Sequence, residues 1–250
     1  MGAWQIVSCG QRVIKRGIIC VASCIAMLKI GPILTMGLSM LLSIVVYAAA
    51  FGLKFAVGFV LLLLVHEYGH VIAAKVVGLR VSSPIFIPFI GAVIGIKDLP
   101  SNAKVEANVA IGGPAIGTLS ALLCLALYFW SNNQLMLILS YTACLLNLFN
   151  LIPCDPLDGG RIAAAISPRL WWLGSIIMGL LFIYTYNVFV FIILMVSLVK
   201  VWHNNDGDAP SFYYKLTIKE RLTVIWWYLG LIMVLSGTTL YIIEILNEGF

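Results

Sequence analysis

The sequence is poor in charge. Of its 250 residues only 10% are Asp, Glu, Lys or Arg, whereas 62% are hydrophobic. Soluble domains contain about 25% charged residues, and disordered chains combine high charge with low hydrophobicity. The composition therefore excludes an ordinary soluble domain and a disordered chain. It predicts an all-α polytopic membrane protein.

Paired cysteines are lacking as well. The six cysteines are scattered, form no CxxC pair, and mostly lie in or beside apolar stretches. We expect them to be reduced and to pack as small hydrophobic side chains rather than to form a disulfide framework. The chain also has only three histidines. A histidine inside an apolar stretch is therefore a candidate functional residue.

Long charge-free stretches set the number of membrane crossings. A helix needs about 20 apolar residues to cross a bilayer. By that length the stretches 30–53 and 222–243 fit one crossing each, and 107–154 fits two crossings around a polar turn at 131–134. The stretch 170–199 is long for one crossing and short for two, and the basic residues after it favour a helical hairpin broken near Tyr186–Asn187. With the largely apolar segment 55–74, we expect about six transmembrane helices, within a range of five to seven.

The segment 81–97 differs from the helices around it. It is apolar but short, and it carries helix-breaking residues among residues that favour extended structure. The breakers are Pro84, Pro88, Gly91 and Gly95. We expect a re-entrant hairpin dipping into the membrane, where non-helical backbone is tolerated only against protein or a wet cavity.

These features divide the chain into three parts. The first, 1–32, is expected to be a cytoplasmic segment with an interfacial amphipathic helix over 12–29. The second, 33–165, is expected to be the functional core. The third, 166–250, is expected to hold the C-terminal transmembrane segments, with a polar loop at 200–221.

The basic residues predict the orientation, because cytoplasmic loops are rich in Lys and Arg. With the N-terminus in the cytoplasm and two crossings before Lys75, ten of the first eleven basic residues lie on the cytoplasmic side, and only Lys54 lies opposite. The net charge of +5 is therefore interpreted as topology, and no nucleic-acid partner is expected. The predicted location is the cell membrane, with the N-terminus in the cytoplasm.

The segment 55–74 contains the motif His66-Glu67-Tyr68-Gly69-His70. Residues i and i+4 share one helix face, so both imidazoles can bind one metal ion, and Glu67 can act as general base toward an attacking water. Ionisable residues inside a span are costly and usually functional. Glu67 precedes Lys75 by eight residues, which places the site about 12 Å from the cytoplasmic end of the helix.

Catalytic zinc sites usually have three protein ligands, so two histidines leave one to find. The best candidates lie at the end of a later span, where spacing alone leaves Cys154, Asp155 and Asp158 open, and each could instead be a turn residue. The other acidic candidates stand in no convincing motif. They are Glu106, Glu220, Glu244 and Glu248.

The two motifs together resemble the site-2 protease family of intramembrane zinc metalloproteases. The second motif of that family has the form Asn-x-x-Pro-x-x-Pro-x-Asp-Gly, which this chain matches at Asn150, Pro153, Pro156, Asp158 and Gly159. The resemblance covers about 33–165. The segments between and after the motifs are too short for a PDZ domain or a pair of CBS domains, which predicts a minimal form of the family.

The resemblance implies a role for each motif residue. His66, His70 and Asp158 would bind one zinc ion per chain, Glu67 would be the catalytic acid and base, and Asn150 would help to bind the substrate. It also implies that the 81–97 hairpin presents an edge to an extended substrate. The expected partners are the lipid bilayer, a transmembrane protein or peptide as substrate, and an adaptor or regulatory membrane protein.

The predicted function is thus hydrolysis of peptide bonds within or next to transmembrane segments, for regulation or for clearance of membrane peptides. Two alternatives stay open. One is a membrane-anchored zinc protease with its site outside the bilayer and a glutamate as third ligand. The other is a non-catalytic metal-binding or transport component, in which HEYGH only relays a metal and no base is needed at position 67.

Overall fold

The computed structural model describes residues 32–82, 85–87, 91–93, 98, 100–205 and 212–248. The predicted interfacial helix at 12–29 lies outside these residues. Within them the chain forms helices and one two-stranded hairpin. In chain order these elements are α1 (Pro32–Phe51), α2 (Leu53–Val76), β1 (Ile85–Ile87), β2 (Gly91–Val93), α3 (Ala103–Ser131), α4 (Gln134–Asn150), α5 (Asp158–Ile166), α6 (Leu170–Thr185), α7 (Val188–Asn205) and α8 (Ile218–Glu248).

The described helices confirm the predicted all-α polytopic membrane fold. Four of them, α1, α2, α3 and α8, are long and apolar enough to cross a membrane, and three shorter apolar helices accompany them. The shorter ones are α4, α6 and the Val188–Trp202 part of α7. Many large hydrophobic side chains on these helices are exposed, among them Leu41, Trp130 and Ile183. Such an apolar exterior suits contact with lipid.

Local capping explains where the long apolar stretches break. Asn132 ends α3 in the left-handed conformation (φ 51°), and the Asn133 side chain accepts a hydrogen bond from the Leu135 amide at the start of α4. Asparagine tolerates left-handed backbone and caps helix N-termini. Tyr186 and Asn187 repeat this arrangement between α6 and α7. The predicted turns at 131–134 and at Tyr186–Asn187 are both present.

Helix α3 lies at the centre of the fold and packs against α2, α4, α5 and α8. Small residues let α2 and α3 approach closely: a Cβ added at Gly69 would overlap the backbone of Gly112, and one at Gly112 would meet the Gly69 backbone. In lipid, close packing of small residues replaces the hydrophobic driving force between helices. This contact sets the distance between α3 and the HEYGH face of α2.

The segment around 81–97 contains a β-hairpin, as predicted. Strands β1 and β2 pair antiparallel, with Phe86 opposite Ala92. Phe86 is buried against α1 and α2, and its amide donates to the Ser39 hydroxyl of α1. Outside the hairpin, Arg80 and Asp98 form an ion pair with Nη2 2.7 Å from Oδ1. The hairpin is therefore attached to the helices at its buried face and closed at its base.

Candidate metal centre

The HEYGH motif lies in the second half of α2, where His66 and Glu67 are buried and His70 is nearly so. Helical spacing puts both imidazoles on one face. Their Nε2 atoms are 3.2 Å apart, and the ring planes are almost perpendicular. Glu67 is buried beside them, with His66, His70, Asp158 and Arg161 as its ionisable neighbours.

Asp158 completes the group. It is the first residue of α5, and its Oδ2 lies 3.2 Å from the Nε2 atom of each histidine. A carboxylate is favoured in the first turn of a helix, where unpaired backbone amides carry partial positive charge. Among the described residues, His66, His70 and Asp158 form the group that could hold a metal ion, with all ligand atoms within 4.8 Å of one another.

The hydrogen bonds behind the histidines show that this donor set suits a metal ion. Nδ1 of His70 lies 2.9 Å from the Val109 carbonyl, and Nδ1 of His66 lies 2.9 Å from Oδ1 of Asn147. Both partners accept hydrogen bonds, so Nδ1 is the donor on each ring and Nε2 is left facing the other ring and Asp158. Two Nε2 atoms and one carboxylate oxygen therefore converge, and with neutral rings they make a three-ligand set that zinc accepts.

The other candidates in the 154–158 loop point elsewhere. Cys154 is fully buried in an apolar cluster with Leu157, Met178 and Val190. The Asp155 carboxylate lies 3.7 Å from Nζ of Lys200 on α7. Of the three residues that spacing left open, only Asp158 contacts the histidines.

The glutamates considered as alternative ligands are also engaged or placed away from the histidines. Glu106 accepts a hydrogen bond from the Tyr213 hydroxyl (2.6 Å). Burial of Tyr213 is the main reason that its pKa is raised, and the bond to Glu106 raises it further, so the phenol stays a donor. Glu220 accepts from the amide and hydroxyl of Thr217. Glu244 and Glu248 are exposed on α8. None of the four belongs to the ligand group found in the described residues.

Two asparagines of α4 have different positions. The side chain of Asn150, the predicted substrate-binding residue, donates to the Leu146 carbonyl of its own helix (3.2 Å) rather than contacting the histidines. Asn147, one turn earlier, is fully buried and bonded to His66. Sequence reasoning did not single out Asn147. The available signal was a carboxamide in a charge-free span, one turn before the second motif.

Three contacts from the C-terminal helices hold the loop that carries Asp158. The Tyr228 hydroxyl of α8 donates to the Leu151 carbonyl (2.6 Å), and the Trp171 indole of α6 donates to the Gly160 carbonyl (2.8 Å). Lys200 supplies the ion pair to Asp155. The part of the chain after the second motif thus fixes where α5 begins, and with it the position of the carboxylate.

Replacing Trp171 by Phe is expected to destabilise the protein by about 1–3 kcal/mol, since it removes a buried hydrogen bond and part of a buried ring. Thermal unfolding in detergent measures the change. The neighbouring Trp172 is half exposed, so Trp172→Phe is the matched control and should unfold like wild type. Equal melting temperatures for the two variants would contradict the assigned contact.

Fold and site together define a class: a helical membrane protein with a buried His–His–Asp group beside a glutamate. Comparison with known proteins narrows the class. Residues 54–133 match the sequence model of peptidase family M50. This match confirms the predicted resemblance to the site-2 proteases.

Two proteins of Methanocaldococcus jannaschii are similar to this chain. One is a zinc metalloprotease, 33% identical over 139 residues, which are 54% of this chain and 39% of that protein. The chain thus spans about two fifths of the length of this curated relative. The other is the solved structure of a site-2 protease, 24% identical, covering 74% of this chain and 89% of that chain with a TM-score of 0.42.

Proposed function

We propose that this protein is an intramembrane zinc metalloprotease that hydrolyses peptide bonds within or next to transmembrane segments of membrane proteins. The observation that carries the proposal is that Asp158 of α5 converges with His66 and His70 beside a buried Glu67. The two histidines and the glutamate lie on α2, a helix long and apolar enough to cross a membrane. The M50 match of residues 54–133 supports it. Burying four ionisable groups at such a place is costly unless they work together.

Each residue of the group has a separate task. His66, His70 and Asp158 would hold one zinc ion per chain. When bound, zinc supplies Lewis-acid polarisation of the scissile carbonyl and activation of water. Glu67 takes the proton from the attacking water and later delivers it to the leaving amine. Asn150, at the end of α4, would hold the substrate backbone.

The hairpin supports an extended substrate. A transmembrane helix hides its carbonyls in internal hydrogen bonds, so a segment must unwind before its peptide bonds can be attacked. Strand β2 packs next to α2, the helix that carries the motif. A substrate strand added to the hairpin edge would recover backbone hydrogen bonds lost on unwinding. The distribution of basic residues supports a site toward the cytoplasmic side of the membrane. An adaptor or regulatory membrane protein as partner is part of the same proposal.

The test uses purified full-length protein in liposomes with single-span peptides, and mass spectrometry identifies the cleaved bond. Wild type should cut inside or beside the span, lose activity on chelation and regain it when zinc is returned. Asp158→Ala should lose both cleavage and bound zinc, since it removes one of three ligands. Asp155→Ala is the matched control, because Asp155 lies on the same loop but pairs with Lys200. It should keep its zinc.

Each contrary outcome points to a different error. Full zinc content in Asp158→Ala would overturn the ligand assignment and favour a glutamate-based site. Zinc binding without cleavage of any membrane peptide would favour a non-catalytic metal-binding component. Cleavage only of peptides outside the bilayer would overturn the intramembrane substrate.

A further inference from the structure

The two histidines of the site are held by different kinds of partner. Nδ1 of His70 donates to a backbone carbonyl, that of Val109 on α3. Nδ1 of His66 donates to a side chain, that of Asn147 on α4, 81 residues away in sequence. The His70 contact is independent of the side chain at position 109, whereas the His66 contact depends on one replaceable carboxamide.

The orientation of the Asn147 amide is set by its own second bond. Its Nδ2 donates to the Ala143 carbonyl at 2.7 Å, within α4. The oxygen must therefore face His66 and can only accept. As a result Nδ1 of the His66 ring is the hydrogen-bond donor to Asn147, and Nε2 on the opposite side of the ring faces Asp158 and His70.

The space for this amide comes from a glycine on the facing helix. A Cβ added at Gly117 of α3 would overlap the Oδ1 of Asn147. Asn147 itself is 1% exposed, so no water replaces its contact with His66. Gly117 on α3, Asn147 on α4 and His66 on α2 thus form one continuous contact between three helices.

We propose that Asn147 is a positioning residue of the metal site: it selects the Nδ1–H tautomer of His66 and aims Nε2 at the ion. This inference rests on the proposed function, because it concerns the same ligand group. Outer partners of ligating histidines typically change metal affinity 10–100-fold when removed. Asn147 differs from the ligands in that it contributes through His66 alone.

The experiment compares three variants of the full-length protein. Asn147→Leu keeps the branching and the number of heavy atoms of the side chain without an acceptor, and Asn147→Asp keeps an acceptor oxygen. Ser140→Ala is the control, since the Ser140 hydroxyl is buried in the same α3–α4 interface and donates to the Ala121 carbonyl. The probe is Zn²⁺ itself, titrated against a competing chelator, and the thermal unfolding of the metal-free proteins is measured in parallel.

Asn147→Leu should weaken zinc binding about 10–100-fold, whereas Asn147→Asp and Ser140→Ala should bind within a few-fold of wild type. Nitrogen-15 NMR of histidine-labelled, metal-free protein gives a readout that packing alone would not move. Wild type should show a protonated Nδ1 at His66, and Asn147→Leu should show a mixture of tautomers there with His70 unchanged.

Several results would overturn the inference: wild-type zinc affinity in Asn147→Leu, a loss in Asn147→Asp as large as that in Asn147→Leu, or an unchanged His66 spectrum. If Ser140→Ala also lost zinc, and the loss in both variants followed a lower melting temperature, Asn147 would have a purely structural role. Failure of the proposed function looks different, because then wild type would bind no zinc or would cleave no peptide.

Discussion

Glu67→Gln is expected to retain its zinc and to lose cleavage of membrane peptides by about 10²–10⁴-fold, the usual contribution of a general acid or base. Glutamine has the shape of glutamate but cannot take a proton from water. Glu67 lies next to His66 in the chain and is buried beside the ligand group without being part of it. The substitution therefore separates proton transfer from metal binding.

The measurement pairs a cleavage rate in liposomes with the zinc content of the same preparation. Tyr68→Phe is the matched control, because Tyr68 is adjacent in sequence but 44% exposed on the outer side of α2. It should cleave like wild type. Wild-type cleavage by Glu67→Gln would show that the glutamate is not the base and would favour a metal relay.

Gly113→Ala is expected to destroy the metal site while leaving the helices formed. An added Cβ would overlap Nε2 and Cε1 of His70 and would lie 2.9 Å from Nε2 of His66. The backbone of α3 therefore forms one wall of the site, and a single methyl group would occupy the place where the two imidazoles converge. Bound zinc and cleavage should both fall below detection.

Overpacking of this kind costs typically about 1–3 kcal/mol, so the variant should remain helical by circular dichroism and unfold at a lower temperature. Gly230→Ala on α8 is the matched control, since an added Cβ there has no neighbour within 4 Å beyond the adjacent residues and the backbone of its own helix. It should keep its zinc and its activity. Stoichiometric zinc in Gly113→Ala would contradict the described geometry.

The hydropathy pattern was sufficient to predict the long apolar helices, but it did not predict the short helix α5 that begins at Asp158. Lipid forces the backbone to satisfy its own hydrogen bonds, so a long charge-free stretch has few options besides a helix. The breaks between these helices were predictable because they depend on local interactions. Asn132 adopts the left-handed conformation, and the side chains of Asn133 and Asn187 accept hydrogen bonds from backbone amides two residues later. The hairpin was indicated by prolines and glycines in an apolar segment. The sequence did not indicate that the hairpin packs against Ser39 and α1.

The pairing of His66 with His70 was determined by the sequence itself, since the spacing of a helix is local and needs no partner. The third ligand was not. Cys154, Asp155 and Asp158 are all suitable ligands by residue type, and spacing alone leaves all three open. Contacts from Trp171, Tyr228 and Lys200 decide which of them faces the histidines. The family resemblance by itself implies Asp158.

The sequence by itself thus determined the membrane helices and the two histidines with their glutamate, because these follow from helical periodicity and from the cost of charge in lipid. Only the tertiary structure decided which residues of the other helices meet the two histidines. Gly69 and Gly112 bring α2 and α3 into contact, and Gly117 leaves room for Asn147. The distances between helices depend on such paired small residues, far apart in sequence, so no local pattern could specify them.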